Sequence, residues 1–326
     1  MKYAKDTRPK GVANKAAEVL VEALPWIKNI TGKTVVIKYG GSAMVDEQLR
    51  ADVMNDIVLL KIVGVNPVIV HGGGKAITEA MDFLQLPVEF KDGQRVTTPE
   101  AMDLVRTVLM GKVNQELVEA LNEHGNFAVG VSGADAGVIV AEQASPELGR
   151  VGRITRINSP LLDDLVAGDY IPVVASVALG EDGGFYNVNA DMVAGHIAAA
   201  IGAHKVVFLT DVDGLYENFE NKDSLISNLT LFEAQYMVEN NIVSTGMIPK
   251  LKSCIHALDS GVFRAHIING ITPHSLLLEL LTSTGVGTTM HSTEESCTFD
   301  THPLGNFASK LLENLSLIHI SEPTRL

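Results

Sequence analysis

Residues 34–42, TVVIKYGGS, constrain the fold more than any other stretch of this chain. They read as a strand that carries a lysine to its end and breaks into two glycines. Val35, Val36 and Ile37 are apolar and β-branched in succession, the pattern of a parallel strand covered on both faces by helices. Gly40 and Gly41 let the backbone approach a ligand closely with bare N–H groups, and Lys38 adds a mobile positive charge beside them. The pattern recurs at residues 66–75, where NPVIV runs into His71, Gly72, Gly73 and Gly74 before a second helix. Two strand, glycine turn, helix units in series imply parallel pairing through right-handed crossovers. Both glycine turns then fall at the carboxyl edge of one sheet, where open α/β folds bind ligands.

Further strands are expected at 127–131, 171–175, 205–210 and 262–268. Helices are expected at 11–29, 46–64, 99–125, 159–168, 191–202, 231–240, 247–260 and 275–282. Thr98 and Ser159 are placed to cap their helices, and Asp92-Gly93 to turn a hairpin that carries Arg95 just beyond it. Residues 137–157 alternate like short antiparallel hairpins. The helix at 11–29 has apolar residues Val12, Ala16, Val19, Leu20, Ala23, Leu24 and Ile27 at helical spacing. It needs either the body of its own chain or a neighbouring subunit to cover it. Beyond about His291 periodicity fades, and residues 291–326 read as a peripheral tail.

With 326 residues, 46% of them hydrophobic, the chain can bury a large core, so the reading is α/β with an open, mainly parallel sheet between helices. A net charge of -14 argues against nucleic acid or an anionic membrane as the main partner. Cys254 and Cys297 stand far apart without metal-ligand spacing. No metal site among the side chains is expected, and a reducing, cytoplasmic location fits.

The glycines match neither G-x-G-x-x-G nor G-x-x-x-x-G-K-[ST], which sets aside a dinucleotide fingerprint and a P-loop. The letters HGGG also occur in esterase oxyanion turns, but the G-x-S-x-G that must accompany them is absent. What remains is a phosphate cradle of backbone amides supported by lysines.

Taken in order, IKYGGS, VIVHGGG, GQRVT, NVNAD, LTDVDGLY and TGMIPK resemble the amino acid kinase family, over roughly residues 32–290. Within the family the chain looks like the members that phosphorylate the side-chain carboxylate of N-acetyl-L-glutamate in arginine biosynthesis. The resemblance implies catalytic roles for Lys38, Lys250 and Asp191, the two lysines contacting the transferring phosphoryl group and Asp191 orienting them. It implies acceptor binding by Gly73, Gly74, Arg95 and Asn187, with Arg95 clamping the α-carboxylate as a fork. ATP, with magnesium held mainly by its phosphates, would be bordered by Gly40, Gly41, Thr210, Asp211, Gly214, Tyr216 and Met247.

It further implies an acetylglutamate-binding lobe over 32–203 and an ATP-binding lobe over 204–290, following an N-terminal extension over 1–31. The extension resembles the helix by which arginine-inhibited members join dimers into hexamers. Residues 266–287 resemble their arginine pocket, with Glu279 and Gly287 as its candidates, although Asn269, Ile271 and Ser283 depart from the usual pattern. Two alternatives stay open: a sibling kinase acting on carbamate, aspartate, glutamate or UMP, and a catalytically dead arginine sensor.

Overall fold

The computed structural model describes residues 10–292 except positions 45, 92, 219, 245 and 284. The expected tail, with Cys297, lies outside the described residues from 293 onward. One eight-stranded sheet organises the chain. Its spatial order is Asn228–Thr230, Thr288–His291, Arg264–Asn269, Lys205–Thr210, Thr34–Tyr39, Asn66–His71, Ile171–Ala175, Ala128–Ser132. All neighbours run parallel except Arg264–Asn269 with Thr288–His291.

The opening strand sits in the middle, and its alternation separates two cores. Val35 and Ile37 face the helices Glu47–Ile62, Pro99–Val108 and Ser275–Leu281. Val36 faces Pro160–Ala167, Ala190–Ala200 and Ile248–Asp259. All three valine and isoleucine side chains are fully buried, as a strand covered on both faces requires. In register, Lys38 lies beside Val70 on one flank and Phe208 on the other. The glycine turns after Tyr39 and His71 and the turn after Thr210 are therefore neighbours at one sheet edge.

A second sheet of Ile139–Gln143, Gly152–Ile157, Val177–Gly180 and Phe185–Asn187 accounts for the alternation at 137–157. It leads directly into the Ala190–Ala200 helix. The Phe90–Lys91 and Gln94–Arg95 strands form the expected hairpin.

Three local expectations need correction. The single helix over 99–125 is interrupted by a π-helical stretch, Leu109–Asn114, and ends at Asn122. Thr98 does cap its helix, accepting from Ala101 N, but Ser159 is itself helical in backbone and makes no side-chain cap bond. Beyond the last expected turn the chain adds one more strand, Thr288–His291.

The N-terminal helix Lys10–Ile30 rests on the body through Trp26, Ile27 and Ile30. Val19, Leu20, Val21 and Leu24 are each more than 60% exposed, so the described residues leave that part of the helix uncovered.

Candidate active site

Three charged residues from distant parts of the sequence meet at one carboxylate. Asn189 caps the Ala190–Ala200 helix, its side-chain oxygen accepting from Asp191 N and Met192 N at 2.8 and 3.3 Å. The Asp191 side chain is thereby left for other partners. Lys38 Nζ lies 3.1 Å from Asp191 Oδ1, and Lys250 Nζ 3.0 Å from Oδ2. Burial by itself raises a carboxyl pKa, but the two ammonium groups outweigh it and hold Asp191 below the usual range.

Close helix packing makes the meeting possible. A Cβ added to Gly195 would lie 2.5 Å from Ser253 Oγ and 2.6 Å from its carbonyl oxygen, so only glycine admits the Ile248–Asp259 helix this near. Ser253 Oγ donates to the Asp191 carbonyl across the same crossing. A side chain at Gly40 would likewise meet Lys38 Nζ at 2.5 Å.

Lys38 and Asp191 line a cavity of about 330 Å³ together with Gly72, Gly73, Gly74 and Asn187. Arg95 and Thr78 line it as well. A wider chamber of about 710 Å³ shares Lys38 and the three glycines and adds Gly40, Gly41, Arg50 and Lys112. Arg95 reaches the cavity, yet its guanidinium also braces the turn: Nη2 donates to Gly74 O at 2.9 Å and to Thr78 Oγ1 at 2.6 Å. Asn187 Nδ2 donates to Thr97 Oγ1 at 3.3 Å.

On the other flank of Lys38, Gly41 is left-handed, with φ +74°, and a Cβ there would approach Asp211 Oδ1 to 2.4 Å. The turn after Thr210 thus abuts the first glycine turn. Within it Tyr216 donates to Asp213 at 2.5 Å, and Gly214 closes against Thr288. Met247 is buried at the start of the Lys250 helix. Residues 210–216, Met247 and Lys250 line neither of these two chambers.

Glu279 and Gly287 lie elsewhere, at a cavity of about 230 Å³ whose wall includes Trp26 of the N-terminal helix. Glu279 accepts from His266 Nδ1 at 2.7 Å, Val286 N at 2.7 Å and Thr289 Oγ1 at 2.9 Å. Burial opposes its ionisation, but these bonds carry its pKa down to about 2.

Sequence reasoning missed Lys75, which lines both chambers, and Thr78, Ser176 and Ser253. The position of Lys75 directly after three glycines was a usable signal. Ser253 gave none, because its importance comes from the helix crossing.

The profile of the amino acid kinase family matches residues 33–269. The chain belongs to the amino acid kinase family. More narrowly, it is 51% identical to the acetylglutamate kinase of Caldanaerobacter subterraneus subsp. tengcongensis over 274 residues, 83% of this chain and 92% of that protein. It is 48% identical to the acetylglutamate kinase of Halothermothrix orenii, over 83% of this chain and 96% of that one. Among solved structures it resembles N-acetylglutamate synthase from Neisseria gonorrhoeae in fold, with TM-score 0.74 and 22% identity over 95% of this chain and 72% of that one.

Proposed function

We propose that this chain transfers the γ-phosphoryl group of ATP to the side-chain carboxylate of N-acetyl-L-glutamate, giving an acyl phosphate and ADP. The observation that carries the reading is Asp191, in the wall of a cavity it shares with Lys38, holding Lys38 and Lys250 by separate oxygens. The likeness to acetylglutamate kinases at about half identity supports the choice of acceptor.

The chemistry asks for little besides charge placement. A glutamyl side chain has a pKa of about 4.3, so the nucleophile arrives ionised and no general base is required. Its oxygen forms a bond to the γ-phosphorus while the bond to the bridging oxygen of ADP breaks. Negative charge spreads over the equatorial oxygens and builds on the leaving oxygen. Lys38 and Lys250 are suited to meet that charge from either side, and Asp191 keeps both ammonium groups from collapsing apart. The amides of Gly40 and Gly41 suit the nucleotide phosphates, since side chains at either position would collide with Lys38 or Asp211. Residues 210–216 and Met247 border the nucleotide in this reading. Magnesium, carried by the nucleotide phosphates, would add further charge neutralisation.

Gly73 and Gly74 face the acceptor, Arg95 its α-carboxylate and Asn187 its amide. ADP release from ATP over a panel of acetylglutamate, glutamate, aspartate, carbamate and UMP, with hydroxamate trapping of the acyl phosphate for the carboxylate acceptors, tests this. Acetylglutamate should be the preferred acceptor by at least tenfold; preference for another acceptor, or no ADP release with any, overturns the reading.

Arginine is the proposed effector and a dimer or hexamer the proposed assembly. The support is the cavity shared by Trp26 and Glu279, and the exposed apolar residues of the N-terminal helix. Activity measured with and without arginine tests the first; an unchanged rate at millimolar arginine removes it.

A further inference from the structure

Behind the second glycine turn lies a buried polar pair that the chemistry above leaves unused. His71 and Asn114 are both fully buried. Asn114 Nδ2 lies 2.8 Å from Val173 O and 2.9 Å from His71 Nε2. Val173 O can only accept, so the atom facing it must be the amide NH₂, which fixes the Asn114 orientation. His71 Nε2 must then be the acceptor of that group's second proton. The single proton of the neutral ring therefore sits on Nδ1, 2.9 Å from Gly72 O, and is donated to it.

The consequence follows from peptide geometry. In a trans peptide the C=O of Gly72 and the N–H of Gly73 point in opposite directions. With the carbonyl turned toward the buried ring, the Gly73 N–H is turned away from it, on the side where Gly72, Gly73 and Gly74 line the cavity with Lys38 and Asp191.

The π-helical stretch holds this arrangement from two sides. It carries Asn114 to the ring, and it packs Leu109 and Val113 on Gly73, where a Cβ would meet Leu109 Cδ2 at 2.7 Å. Irregular helix of this kind is found disproportionately at functional sites.

We propose that His71 is a positioning residue. Braced by Asn114, its Nδ1–H sets the Gly72–Gly73 peptide so that the Gly73 amide donates to an oxygen of the acceptor or of the phosphoryl group in flight. This rests on the reading of the cavity given above. Burial also lowers the ring pKa to about 4, which keeps it neutral and the bonding pattern intact at physiological pH.

Two measurements on the full chain test it. Imidazole ¹⁵N NMR should find the His71 proton on Nδ1 throughout pH 5.5–8; a proton on Nε2, or titration within that range, overturns the proposal and needs no variant. In kinetics, His71→Asn supplies an amide N–H near the Nδ1 position and should keep turnover within about fivefold of the parent. His71→Gln puts its amide near Nε2 and loses that donor. It should lower kcat on the order of 100-fold, the scale of one misplaced preorganised donor, with KM for ATP unchanged. Equal losses in the two variants, or the greater loss in His71→Asn, would contradict the assignment. A parent enzyme that prefers another acceptor refutes the acetylglutamate reading instead, and the variants are then compared on the acceptor it does use.

Discussion

At the scale of single residues, neighbours decide what a side chain is free to do. Asp191 opens a helix and might have spent its carboxylate on capping; Asn189 takes that task, so both Asp191 oxygens serve the lysines. Lys38, Asp191 and Lys250 were legible because each sits in a short motif with glycine, asparagine or proline punctuation. Asn114 and Ser253 were not, since nothing local marks a residue whose partner is 43 or 62 positions away. Arg95 was legible as a cation near the cavity, but its bonds to Gly74 and Thr78 were not. Arg95→Lys loses the planar fork and should raise KM for acetylglutamate about tenfold or more while leaving KM for ATP within twofold, by initial-rate kinetics.

A pH dependence also belongs at this scale. The folded-state pKa of Glu279, about 2, lies below the ordinary 4.5. Its stabilisation is thus full above pH 4.5 and disappears as pH falls through about 2. Glu279→Gln should cost on the order of 3 kcal/mol at pH 7, with the gap to the parent narrowing in acid. Denaturant unfolding at pH 7 and at pH 3 checks it; a pH-independent gap would show that the charge is irrelevant.

Elements were legible in proportion to their length and periodicity. The central strands announced themselves through β-branched runs between glycines. Asn228–Thr230 and Thr288–His291 did not, because strands of three or four residues carry no readable period and owe their form to the sheet edge they join. The π-helical stretch was invisible for a related reason: one extra residue in a turn leaves the apolar spacing over 99–122 almost unchanged. The crossing of Ala190–Ala200 with Ile248–Asp259 is the element-scale feature with most leverage on the site. Gly195→Ala inserts a methyl where 2.5 Å is available. It should lower stability by about 1–3 kcal/mol and reduce kcat at least tenfold, because separating the helices pulls Lys250 from Asp191. Thermal unfolding with parallel turnover measurements checks both, and a stable, fully active variant would show that the crossing has slack.

For the whole molecule, the order of glycine turns along the chain foretold that they share one sheet edge, and the parallel register delivers this. The cover of the N-terminal helix was left open by the sequence, since amphipathicity states that a face needs a partner and not which one. In the structure Val19, Leu20, Val21 and Leu24 of that helix are left uncovered by the described residues. Removing residues 1–24 keeps Trp26, Ile27 and Ile30 in place and should yield a smaller assembly by gel filtration with light scattering. An unchanged assembly would free the helix of any linking role.

The largest claim is that the first and second halves of the chain each contribute one cation to a single migrating phosphoryl group. Turnover of Lys38→Ala and of Lys250→Ala, each folded as judged by circular dichroism, tests it most directly. Each should fall by roughly 100-fold or more, the cost of one preorganised charge donor. Turnover within tenfold of the parent for either variant would contradict the account.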